Sequence, residues 1–111
     1  MRRRNALTEF ELLILLAIMR VGEDAYGVTV AREIEHTAHR TVLLGALYTA
    51  LARLEQSGLV SSTQRDPTPE RGGRAKRYFS VTKTGIRAVK TAQQALTAMW
   101  NGVPHLKGSL A

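Results

Sequence analysis

A chain of 111 residues, 44% hydrophobic and 23% charged, holds one globular domain; it excludes a disordered chain and a deep enzyme cleft with supporting shells. The formal charge is +7: residues 1–60 balance seven Lys/Arg against seven Asp/Glu, while 61–111 set nine Lys/Arg against Asp66 and Glu70. A basic excess gathered in one half points to a polyanionic partner.

Residues 1–6 read as a basic arm carrying Arg2, Arg3 and Arg4. The arginines precede an apolar stretch, as in a signal peptide, but Glu9 and Glu11 interrupt it and Arg20 closes it without a small-residue cleavage site. The longest apolar run, Leu12 to Met19, is eight residues, against roughly twenty for a bilayer span. There is no cysteine, which excludes disulfides and suits a reducing compartment. The reading is a cytoplasmic protein with no membrane partner.

Thr8 with Glu11 has the Thr-x-x-Glu spacing of a capping box, so a first helix is predicted from there to about Val21. Phe10, Leu12, Leu13, Ile14, Leu15, Leu16, Ile18 and Met19 cover nearly its whole circumference. So small a domain can hardly surround a helix, and part of this surface is expected to meet a second chain. Asp24 is the candidate N-cap of a second helix over about Ala25 to His36, with Tyr26, Val30 and Ile34 inside. A third helix follows. Leu44, Leu47, Leu51 and Leu54 form its apolar stripe, Thr41 is its candidate cap, and Gly58 follows its last turn. Its opposite face carries Gly45, Thr49, Ala52, Arg53 and Gln56, with Tyr48 on the flank.

From Leu59 the pattern changes. Leu59 to Arg65 is rich in β-compatible residues, Asp66 to Arg74 is turn chemistry, and Lys76 to Val81 reads as a returning strand. Thr82 then caps a final helix through about Val103, ended by Pro104, with Ile86, Val89, Leu96, Trp100 and Val103 on one stripe. The fold class is therefore mainly α with a two-stranded β-hairpin (α+β). Its element order is that of a winged helix-turn-helix (7–81) with an added C-terminal helix (82–104) and a short tail (105–111).

That order gives the residues their expected roles. The third helix, 44–57, would enter the major groove, roughly 12 Å wide in B-DNA, and the wing, 65–77, would reach phosphates or the minor groove. Arg65, Arg71, Arg74, Lys76 and Arg77 can bind phosphate, and Gly72-Gly73 lets backbone approach closely. On the helix, Thr49 and Arg53 are candidates for base or phosphate contacts, Gly45 for close approach, and Tyr48 for a hydroxyl contact to phosphate, its alternative being core packing. His36 and His39 make a poor metal pair because the helix is expected to end between them. No catalytic grouping or phosphate-loop motif occurs, so neither an enzyme nor a cofactor is expected.

The sequence resembles the short members of the PadR family of bacterial transcriptional regulators. The resemblance rests on Ala25-Tyr26-Gly27, Gly45-Ala46-Leu47-Tyr48, Leu51, Arg53-Leu54-Glu55 and Gly58-Leu59-Val60. It continues in Arg71-Gly72-Gly73-Arg74-Ala75-Lys76-Arg77-Tyr78-Phe79 and Val81-Thr82 with Gly85, covering about residues 7–90 in order. It implies a homodimeric DNA-binding protein, usually a repressor, dimerised through its first and last helices. Leu12, Leu15, Leu16, Met19, Val89, Leu96, Met99, Trp100 and Val103 are the matching interface candidates. Some short members bind flat aromatic compounds between subunits, which makes Trp100 a candidate effector contact. Many relatives have a capping serine where this chain has Leu43; Thr41 is the candidate substitute. The alternative is a winged-helix protein-interaction or architectural module without a specific operator.

Overall fold

The computed structural model describes residues 6–65 and 76–106. In chain order it contains α1 (Glu9–Val21), α2 (Gly27–Ala38), α3 (Leu44–Gln56), β1 (Val60–Arg65), β2 (Lys76–Val81) and α4 (Lys83–Trp100). The strands pair antiparallel from Val60 opposite Val81 to Arg65 opposite Lys76.

Local chemistry sets most boundaries. Thr8 and Glu11 exchange capping bonds of 2.9 and 3.0 Å, satisfying two N–H groups left over at the start of α1. The end of α3 is a Schellman turn: Gly58, at φ +80°, donates to the Glu55 carbonyl, and Leu59 donates back to Leu54, both at 3.0 Å. Thr82 caps α4 by accepting from the Gly85 N–H at 3.0 Å, and its hydroxyl donates to the Gly58 carbonyl at 2.7 Å. One threonine therefore ties the start of α4 to the end of α3.

Three boundaries differ from the sequence reading. Asp24 lies in a 3-10 turn, Gly22–Asp24, and Tyr26 occupies the N-cap of α2. Thr29 accounts for the shift: its hydroxyl accepts from the Tyr26 N–H and donates to the Asp24 carbonyl. Thr41 does not cap α3, because the N-cap position falls on Leu43 and no side chain bonds there. The preceding connection is held instead by Glu35, whose carboxylate accepts from the Val42 N–H at 2.8 Å while Val42 is buried. That leaves Thr41 two residues upstream of the helix entrance. Finally α4 ends at Trp100; Gly102 turns at φ +88°, and Val103 lies off the helix.

The core is the meeting place of α1, α2, α3 and the hairpin. Ile14, Leu15 and Ile18 of α1, Val30 and Ile34 of α2, Leu47, Leu51 and Leu54 of α3, and Val60 and Phe79 of the strands form one buried cluster. Burying each such side chain contributes about 1.5–3 kcal/mol. Surface ion pairs brace the helices. Arg20 holds Glu33, bridging α1 and α2, and Arg40 holds Glu9. The guanidinium partners keep both carboxyl groups below their ordinary range, with the Thr37 hydroxyl assisting at Glu33.

Helix α4 stands apart. Its one buried residue is Gly85, where a Cβ would come within 2.2 Å of the Leu59 carbonyl oxygen, so only glycine admits this crossing. Val89 still touches the core, but Leu96, Met99 and Trp100 are exposed on the helix beyond it. The radius of gyration, 15.8 Å, exceeds the roughly 13 Å of a compact chain of this length.

Candidate nucleic-acid interface

Burial of Leu47, Ala50, Leu51 and Leu54 turns the other side of α3 outward. Gly45, Thr49, Ala52, Arg53 and Gln56 are all exposed. The one acid of the helix, Glu55, is turned toward the hairpin, where it accepts from the Ser62 hydroxyl at 2.8 Å. Glu55 is itself exposed, on the flank toward the hairpin, and the face made by Gly45, Thr49, Ala52, Arg53 and Gln56 carries no carboxylate of its own.

Around Gly45 a Cβ would meet nothing within 4 Å, so the absent side chain leaves open surface. Thr49 donates its hydroxyl proton to the Gly45 carbonyl at 3.0 Å. Tyr48 packs against its own chain while staying half exposed. Its ring end lies on Gly27, where a Cβ would stand 2.0 Å from the hydroxyl oxygen, yet the residue remains 47% exposed. Gly27 is thus the seat that lets Tyr48 lie across the start of α2.

The hairpin stem presents cations on both faces. Arg77 donates to the Ser62 hydroxyl at 2.9 Å and to the Gln64 side-chain oxygen at 3.2 Å. These neutral partners orient the guanidinium, and the Ser62 hydroxyl relays it to the Glu55 carboxylate. On the other face Arg65 stacks 3.8 Å over the Tyr78 ring and donates to the Glu23 carbonyl. Tyr78 meets Tyr26 edge to face at 5.3 Å, and Lys76 stands 4.9 Å over Tyr26. This tier fixes the stem against the start of α2. The sequence reading missed it because it depends on a strand register that composition does not reveal. Arg71, Gly72, Gly73 and Arg74, expected at the wing tip, lie outside the described residues.

Among the expected interface residues, Leu15 is wholly buried in the chain's own core, which corrects its assignment to a second-chain surface. A helix apolar all round divides its surface: Ile14, Leu15 and Ile18 turn inward, while Leu16 and Met19 are 38% and 40% exposed. Leu12, Val89 and Val103 are half-buried. Trp100 is 36% exposed near the end of α4. A cleft of about 350 Å³ opens between the end of α1 and the hairpin, lined by Ile18, Met19, Arg65 and Tyr78 among others, and Trp100 is not part of it. His36 lies in the last turn of α2 and His39, at φ 58°, caps its end, so the two do not share a helix face. No described helix is long and apolar enough to cross a membrane.

Comparison with known proteins agrees with this geometry. The chain resembles hsRosR-S4, solved as a complex structure, at 27% identity and TM-score 0.67, with 86% of this chain and 76% of that one covered. A PadR family regulator from Eggerthella lenta shares the fold at 21% identity and TM-score 0.69, covering 91% and 88%. Another, from Clostridium difficile, does so at 21% identity and TM-score 0.63, covering 81% and 90%. No curated protein matches the chain. The model of the transcriptional regulator PadR-like family matches residues 15–91. The chain belongs to that family, whose members are transcription regulators and not enzymes.

Proposed function

We propose that this protein is a sequence-specific DNA-binding regulator, a repressor, acting as a homodimer on a pseudo-palindromic operator. The observation that carries the reading is the acid-free outer face of α3 beside a stem bearing Arg65, Lys76 and Arg77. Helix α3 enters the major groove, where an α-helix fits, and the hairpin lies along phosphates or the minor groove. Arg53 and Gln56 hydrogen-bond base edges or phosphate. The sequence between the strands adds Arg71 and Arg74 as further cations, and Gly72-Gly73 there would permit close backbone approach.

The exposed apolar surfaces of α1 and α4 support the homodimer. Leu16 and Met19 on α1, with Leu96, Met99 and Trp100 on α4, are large apolar side chains left exposed, which a second subunit would cover. Two subunits place their α3 helices in successive major grooves, about 34 Å apart or a multiple of that. Trp100 beside such a seam can stack on a flat aromatic effector, which would act by favouring one dimer geometry.

Salt dependence tests the wing directly. Replacing Arg74 and Arg77 with alanine weakens binding to all duplexes alike and lowers the slope of log affinity against log salt by about one per lost phosphate contact. An unchanged slope removes the wing from the interface.

A further inference from the structure

The N-terminal half of α3 is poor in hydrogen-bonding side chains on its outward face, the Tyr48 hydroxyl lying on the flank against Gly27. Leu43 is 72% exposed and Leu44 42% exposed at an entrance no side chain caps. Gly45 has no side chain, Ala46 is an exposed methyl, and Thr49 has given its hydroxyl proton to the Gly45 carbonyl. The polar side chains of the outward face, Arg53 and Gln56, lie in the other half of the helix.

In the major groove each base pair presents donors and acceptors, and thymine alone among the four bases adds an apolar feature, its 5-methyl group. An apolar surface discriminates there by burying that methyl. Resting on the DNA-reading role proposed above, we propose that Leu43 and the Thr49 methyl specify thymine in each operator half-site by apolar contact. Arg53 and Gln56 supply the hydrogen-bonded part of the readout. Thr49 is held in place by its own backbone bond, so its methyl is presented in a fixed position. Leucine at position 43 exchanges a cap for a contact: it gives up satisfaction of the helix entrance and gains apolar surface facing the groove.

Deoxyuridine tests this, since it differs from thymidine only by the methyl and keeps every pairing hydrogen bond. The full chain is used to select duplexes from a random-sequence pool, and each half-site thymine of the selected site is then replaced by deoxyuridine. The expected result is an affinity loss of about fourfold per methyl that matters, the equivalent of one buried carbon. Thr49→Ser keeps the hydroxyl and loses the methyl, so it binds thymine and deoxyuridine equally at one position. Leu43→Ser does the same at another. Thr49→Val keeps a methyl without the hydroxyl and retains the discrimination. Indifference to deoxyuridine at every half-site thymine overturns the inference while sequence-specific binding stands. Discrimination kept by Thr49→Ser but lost by Thr49→Val also overturns it, because the hydroxyl is then the reading group. Binding without any enriched sequence overturns the specific-operator reading itself, and this inference with it.

Discussion

Glycines at three positions show how single residues shape the surface that would meet DNA. Gly85 is required by backbone, the Leu59 carbonyl, and Gly27 seats the ring end of the half-exposed Tyr48. A Cβ at Gly45 would meet nothing within 4 Å among the described residues, and its backbone is ordinary helix. Nothing within the fold asks for glycine there, and glycine in a helix costs about 0.5–1 kcal/mol relative to alanine. The proposed approach of DNA to this turn would supply the missing reason. Gly45→Ala should therefore raise thermal stability, by up to about 1 kcal/mol, and lower DNA affinity. A variant that gains stability and binds as before would show that no partner approaches this turn.

At the scale of elements, the junction of α3, the hairpin and α4 sets the angle between helix and wing. Thr82 links the Gly58 turn to the start of α4, and Gly85 brings that helix down on the Leu59 carbonyl. Gly85→Ala pushes a methyl into backbone that cannot swing aside. It should destabilise the fold by about 1–3 kcal/mol, the usual cost of overpacking, read as a lowered unfolding midpoint. No loss would mean that α4 can shift outward freely.

The same elements show which parts of the fold were legible in the sequence. The Thr8–Glu11 box, the Gly58 turn and the Thr82 cap were readable because each is chemistry between residues three to five apart. The hairpin was readable from the change in residue type and the dense turn signals. The start of α2 was misread because Thr29 and Asp24 compete for the same turn, and their bonding decides the winner. Thr41 was misplaced as a cap because Glu35, on the previous helix, holds the connection. The candidate site was legible as a set of exposed α3 residues. The tier of Arg65, Tyr78, Tyr26 and Lys76 was not, since it joins three separate segments.

At the scale of the whole molecule, α4 is the feature that one chain does not explain. An 18-residue helix with a single buried glycine and exposed Leu96, Met99 and Trp100 gains little from its own domain. A second copy would cover it together with Leu16 and Met19. Placing aspartate at both Leu96 and Met99 should leave the winged-helix core folded and convert the proposed dimer to monomer in sedimentation. DNA affinity should fall with it, because two linked half-sites bind far more tightly than one. A dimer that survives both substitutions would place the interface elsewhere.

The central claim is that this surface reads a DNA sequence. Its most direct test is fluorescence anisotropy on DNA from upstream of the protein's own coding sequence, with scrambled competitor in excess, across a salt series. Binding retained against competitor, with affinity falling linearly in log salt, is the expected result. No binding even at low salt would contradict the account.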